Sequence, residues 1–224
     1  MTFFCSPVGR KLVMALSGFI LVFFITIHLV GNSSFYVGPD GINAYASKLH
    51  SLGPFVWVFR LFMLAAFAIH MYFGISLYLE NRAAKTSGYA VTKHLKATVA
   101  SKTMIWTGLT VAAFLVYHLL HFTIPAISPE TSALRNFDIA GRPDVFTMML
   151  KGFKGIAAPA LYAIGLVALG LHISHGMQSM LQTVGVAGEK TLPVMIKAAI
   201  IGAAVIFIGY IAIPASVLAG IIKG

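Results

Sequence analysis

Five apolar stretches, roughly 11–31, 55–79, 103–127, 156–181 and 193–222, occupy most of this chain and leave it few ways to fold. A helix needs about 20 residues to cross ~30 Å of hydrocarbon, and each stretch meets or exceeds that length. In lipid the backbone must satisfy its own polar groups, which a helix does. The expected architecture is an all-α membrane protein, five transmembrane helices bundled into a single domain over residues 1–224. Composition agrees: 10% of the residues are charged and 58% hydrophobic, whereas soluble domains are about 25% charged.

The distribution of charge sets an expected orientation. Arg10 and Lys11 precede the first stretch, and Arg82, Lys85, Lys93, Lys96 and Lys102 crowd the connection 80–102. Basic flanks favour the cytoplasm, which places the N-terminus and the connections 80–102 and 182–192 inside and the C-terminus outside. Four of the six acids, Asp40, Glu130, Asp138 and Asp144, then fall in the outside loops. A net charge of +10 distributed this way belongs to membrane flanks, not to a nucleic-acid surface. The first stretch is longer than a signal-peptide core, holds His28 and lacks a clean small-residue cleavage pattern, so it is read as a retained helix. The single cysteine, Cys5, cannot form an internal disulfide and carries no expected role.

The outside loops have structure of their own. In 32–54, Ile42, Tyr45, Leu49 and Leu52 recur at helical spacing before Gly53-Pro54, which predicts a short interfacial helix. In 128–155, Gly141-Arg142-Pro143 is a turn signal ahead of a second surface helix over Val145 to Phe153. His50 and His94 are expected in solvated loops.

Six histidines lie inside the apolar stretches, and four of them, His28, His70, His118 and His172, fall at two depths. Ionisable groups at such depth are costly and point to function. At a rise of about 1.5 Å per residue, His28 and His118 lie roughly 25 and 22 Å from the cytoplasmic helix ends, and His70 and His172 roughly 15 and 14 Å. This defines an outer and an inner layer, each with ligands from alternate spans. Two internal repeats run parallel to the layers. Ser17-Gly18 precedes His28 by the spacing at which Thr107-Gly108 precedes His118. His70 and His172 are each followed four residues on by Gly74 and Gly176.

Paired imidazoles fill both axial positions of a haem iron, which leaves electron transfer and closes the iron to substrate. Gly18 and Gly108 would let the inner macrocycle approach the backbone, and Gly74 and Gly176 would clear space in the same way. Helix packing through small residues is the plain alternative. His121 and His175 compete with His118 and His172 as ligands, but shared spacing and depth favour the latter pair. His121 would then serve a haem propionate or a quinone. A proton relay is the rival for the whole set, but the stretches hold no carboxylate except Glu80 at the inner end of the second.

The pattern resembles the di-haem cytochrome b membrane anchor of menaquinone-linked succinate dehydrogenases and fumarate reductases. The resemblance runs along nearly the whole chain. It rests on Ile27-His28-Leu29-Val30-Gly31-Asn32, Ser51-Leu52-Gly53-Pro54-Phe55, His70 through Gly74, Tyr117-His118, Asn136-Phe137-Asp138 and His172-Ile173-Ser174-His175-Gly176. It implies an outer haem b on His28 and His118 and an inner haem b on His70 and His172, which makes these four the metal ligands. It further implies a multi-pass subunit of a prokaryotic cytoplasmic (inner) membrane. A flavoprotein (FAD) subunit would carry the dicarboxylate chemistry, and an iron–sulfur subunit would dock on the cytoplasmic face. Electrons would then pass between the iron–sulfur subunit and menaquinone or menaquinol through the two haems. Asn32, Ser33, Tyr36, His50 and His121 are candidate quinone contacts, and Arg10, Lys11, Lys102, Ser17 and Thr107 candidate propionate partners. Some members of the family carry a glutamate two residues before the fourth ligand; here Gly170 stands there. The competing assignments are a cytochrome b of hydrogenase or formate dehydrogenase type and a haem-free anchor or transporter.

Overall fold

The computed structural model of the chain describes residues 6–84, 99–188 and 190–223. Among them the regular structure is helical, with one isolated β-bridge between Phe137 and Pro143. Five helices are long and apolar enough to cross a membrane. They are α1 (Pro7–Ser33), α3 (Pro54–Ala83), α5 (Met104–His118, extended by a π turn Leu119–Thr123), α7 (Ala157–Thr183) and α8 (Leu192–Leu218). The three short helices are α2 (Pro39–His50), α4 (Val99–Lys102) and α6 (Val145–Gly152). Cys5, Lys85, Lys93, His94 and Lys96 lie outside the described residues.

Local chemistry sets the helix ends. Ser6 caps α1 by accepting the Gly9 N–H at 3.0 Å, with Pro7 in the first turn. Gly38 and Gly53, at φ of +92° and +55°, turn the chain before Pro39 and Pro54 open α2 and α3. That left-handed backbone is cheap only for glycine. The third span ends at Thr123, four residues before the apolar stretch does, because Pro125 lacks the N–H that would continue it. His50 is the last residue of α2, not part of a loop, and its side chain is exposed.

The start of α1 and the end of α8 lie at opposite ends of this five-helix stack, here called the N side and the C side. Helices α1, α3, α5 and α7 form a ring in which α1 packs on α3, α5 on α7 and α1 on α7, while the α3–α5 edge is the loosest. Helix α8 lies outside the ring against α7 and α1. Consequently α7 is the most buried span and α3 the least. Gly165 brings α5 and α7 close, since a Cβ there would collide with the Phe114 ring. Leu166, Leu169 and Ile173 of α7 pack on Ala203 and Ile206 of α8.

On the C side, Phe35, Ile42, Phe146, Met149, Phe153, Tyr162 and Ile213 build a second core beneath α2 and α6. A polar clasp ties the loops above it. Asn43 is fully buried; its amide donates to Asp138 at 3.2 Å and Asp144 at 3.3 Å, and its carbonyl accepts the Phe146 N–H at 2.9 Å. Arg142 bonds Asp138 at 2.8 Å and Asp40 at 2.7 Å.

Candidate functional site: two histidine pairs within the helix ring

The ring order brings the four histidines together from diagonal helices. His70 of α3 faces His172 of α7, with ring centroids 6.1 Å apart and planes at 75°. His28 of α1 faces His118 of α5 at 6.0 Å and 82°. The pairs occupy two levels: the His70 ring lies against Gly18, ten residues and about 15 Å of helix rise below the His28 Cα. The pairing expected from spacing and depth is the pairing the helices produce.

A histidine nitrogen sits about 2.0–2.1 Å from a bound transition metal and about 1.2 Å from its ring centre, so two imidazoles sharing one ion have centres about 6.4–6.6 Å apart. Both pairs fall a few tenths of an ångström short of that. Bare rings in edge-to-face contact have similar spacings, so the distance alone does not choose. The ring nitrogens show what each imidazole has free. His70 Nδ1 lies 3.2 Å from the Met14 carbonyl and 3.3 Å from Ser17 Oγ. The Met14 carbonyl can only accept, and the Ser17 hydroxyl can accept as well while its one hydrogen goes to the Val13 or Met14 carbonyl at 2.9 or 3.0 Å. His70 therefore carries its proton on Nδ1 and presents a bare Nε2.

The same construction recurs one repeat along. His172 Nδ1 lies 3.3 Å from Thr107 Oγ1, the His172 ring also bonds the Met104 backbone, and the Thr107 hydroxyl donates to the Met104 carbonyl at 3.0 Å. Two facing imidazoles, each tied at Nδ1, leave two Nε2 lone pairs for a shared acceptor. Fixing one ring nitrogen by hydrogen bonding is how proteins orient metal-binding histidines. Among the described residues no group of three or more His, Cys, Asp or Glu side chains gathers as a protein-only metal site would need. A porphyrin brings four donors of its own and asks the chain for two.

The glycines lie against the imidazoles. A Cβ at Gly18 would meet His70 Cε1 at 3.0 Å, and one at Gly108 would meet His172 Cε1 at 3.1 Å. They make room for the imidazoles themselves. A Cβ at Gly74 would stand 4.0 Å from Met14 Sδ, and one at Gly176 3.6 Å from Met104 Cε, both ordinary contacts. Met14 and Met104 were not singled out by sequence reading, although they stand three residues before Ser17 and Thr107 and extend the same repeat. Phe24 and Phe114 extend it too, four residues before His28 and His118; Phe24 stacks on His28 at 5.3 Å and Phe114 lies 6.2 Å from His118.

The C-side pair is held by other means. His28 lies between Phe24 and the Tyr210 ring at 6.2 Å, and Tyr210 braces α8 by donating to the Ile25 carbonyl at 2.7 Å. His118 Nδ1 bonds the Tyr162 hydroxyl at 3.0 Å. His121 is buried, stacked on Phe122 at 4.0 Å.

The remaining candidates divide. Asn32 donates its amide to the His28 carbonyl at 2.7 Å, and Ser33 its hydroxyl to the Leu29 carbonyl at 2.9 Å, so both side chains serve the end of α1. Tyr36 is half exposed and bonds Ser216. On the N side Arg10 pairs with Glu80 and keeps a buried Nε without a partner, while Lys11 and Lys102 are exposed. Ser17 and Thr107 are buried against the rings. An apolar groove between α7 and α8, lined by Pro159, Ala163, Ile211 and Pro214 among others, includes none of the histidines. Compared with known protein families, curated proteins and solved structures, the chain matches none of them.

Proposed function

We propose that this chain is the di-haem cytochrome b anchor of a succinate dehydrogenase/fumarate reductase complex. In that role it carries electrons between an iron–sulfur subunit and menaquinone or menaquinol across a prokaryotic cytoplasmic membrane. The observation that carries the reading is the N-side pair, where His70 and His172 face each other at 6.1 Å with each Nδ1 3.3 Å from a buried hydroxyl. His70 and His172 would hold one haem b, and His28 and His118 the other. When bound, such a group supplies reversible one-electron transfer, with no axial position open to substrate.

The chain's own residues have definite tasks in this reading. Ser17, Met14, Thr107 and Met104 fix the ring tautomers of the N-side ligands. Gly18 and Gly108 set how near those rings come to the neighbouring helix. Arg10, with its unpartnered Nε, offers a cation for a carboxylate at the N-side level. Arg82 and Lys102 flank the connection on which an iron–sulfur subunit would dock. His121 and Tyr36 are the polar side chains best placed to meet a quinone near the C side. Reduced-minus-oxidised spectroscopy together with identification of co-purifying chains tests the proposal. Two b-type haems per chain, with a flavoprotein and an iron–sulfur protein attached, are expected. A hydrogenase or formate dehydrogenase partner would move the chain to another complex, and absence of haem would reject the reading.

A further inference from the structure

Tyr162 bridges two histidines that sequence spacing alone leaves in competition. Its hydroxyl lies 3.0 Å from Nδ1 of His118 and 3.4 Å from Nδ1 of His121. A phenol has one hydrogen to donate, so at most one ring can accept from it and at least one must donate to it. We propose that Tyr162 is the positioning residue of the C-side pair: it accepts the Nδ1–H of His118, donates to Nδ1 of His121, and so leaves His118 alone with a bare Nε2. The inference rests on the haem reading above and goes beyond it, since it states how one of two neighbouring imidazoles becomes the ligand.

Surroundings choose between the two hydrogen-bond directions. His118 faces the His28 ring at 6.0 Å, so a lone pair on its Nε2 has a use. His121 Nε2 instead points at the end of α6, 3.2 Å from where a Gly152 Cβ would stand, with Phe122 and Phe153 around the ring. No second imidazole faces it there. Tyr162 is itself well fixed. It is buried, with Phe153 at 4.9 Å, Phe114 at 5.1 Å, Tyr117 at 5.9 Å and Phe122 at 6.0 Å about its ring. That cage makes Tyr162→Phe a clean removal of one oxygen. The N-side rings are oriented by Ser17, Thr107 and two carbonyls, so the two levels can be perturbed separately.

An Nδ1–H···O bond raises the basicity of a coordinating imidazole and favours the more positive metal state. Its loss should favour the reduced form of the C-side haem by about tenfold, ~59 mV for a one-electron couple. The experiment is a redox titration of the assembled complex, followed by optical difference spectra and by the low-spin ferric EPR signals. In Tyr162→Phe both haems should remain, one midpoint potential should rise by about that amount, and the other should hold. Ser17→Ala should move the other one. Loss of a single haem in Tyr162→Phe also supports the inference if the survivor is the one Ser17→Ala shifts. Should Tyr162→Phe fail to accumulate, His121→Phe must alter the EPR signal of the haem that Ser17→Ala leaves alone. Unchanged potentials and signals in Tyr162→Phe, or one haem answering to both variants, would overturn the assignment. A wild-type chain without haem defeats the underlying reading, whereas a two-haem chain indifferent to Tyr162 defeats this inference alone.

Discussion

One added methyl group is enough to disturb the N-side pair. Gly18→Ala would bring a Cβ to 3.0 Å from His70 Cε1, and the ring would have to retreat by a few tenths of an ångström. Such a shift loosens the ligand without removing it. The expected outcome is a folded, membrane-inserted chain with reduced occupancy at one haem level, milder than His70→Ala, read as bound haem per chain. Gly108→Ala should behave alike, since its Cβ would stand 3.1 Å from His172 Cε1. An effect confined to thermal stability would instead mark these glycines as helix-packing residues. Much of this level was legible in the residues: the histidines stand out by their cost in lipid, and Ser17-Gly18 and Thr107-Gly108 by a shared offset. Tyr162 was not, because a tyrosine among apolar residues on a membrane helix carries no signal until folding brings its hydroxyl to His118. Met14 and Phe24 were masked for a similar reason, being ordinary lipid-compatible residues whose repeat with Met104 and Phe114 shows only after the helices are superposed.

At the scale of elements, the C-side clasp makes α2, the 136–146 segment and α6 one unit. Asn43→Ala would leave the buried Phe146 N–H without its acceptor, at a cost of about 1–3 kcal/mol. Thermal unfolding in detergent should register that loss, with the absorbance of both haem levels retained in the folded fraction. Asp138 adds a pH dependence. Desolvation pushes its carboxyl up, but hydrogen bonds from the Arg142 backbone and guanidinium, the Asn43 amide and the Ala140 N–H outweigh that and hold it below its ordinary value. The ionised group therefore contributes stability above the ordinary aspartate value of 3.8, and the contribution is lost as pH falls through the lowered one. Melting temperature should fall as pH drops below about 4, less steeply in Asp138→Asn; equal slopes would exclude Asp138 as a cause. The sequence pattern located every long helix and both main surface helices, because hydrophobic runs and Gly-Pro breaks are local. It could not locate the clasp, whose partners lie about a hundred residues apart and meet only in the fold.

For the whole molecule, the governing fact is an up-and-down ring in which diagonal helices face each other across the middle. That order turns four separate histidines into two pairs. Within the described spans the single carboxylate, Glu80, is spent on Arg10 at the N side, and Gly170 meets only Phe207. On the proposed reading, electron transfer between the two sides would then not be accompanied by a proton carried on a buried acid. Proteoliposomes of the assembled complex should develop a membrane potential during quinol-driven fumarate reduction; turnover with no potential would rule this out. The ring topology follows from five spans joined by short connections and was readable in outline, but which helices pack tightly, and that α8 stands outside, depends on close approaches such as Gly165 on Phe114. The most direct test of the account is the haem content of the purified chain and its variants. Two b-type haems per chain are expected, falling to one or fewer in both His28→Ala and His70→Ala, with His50→Ala unchanged as control. A haem-free wild type, or iron content indifferent to both substitutions, would contradict it.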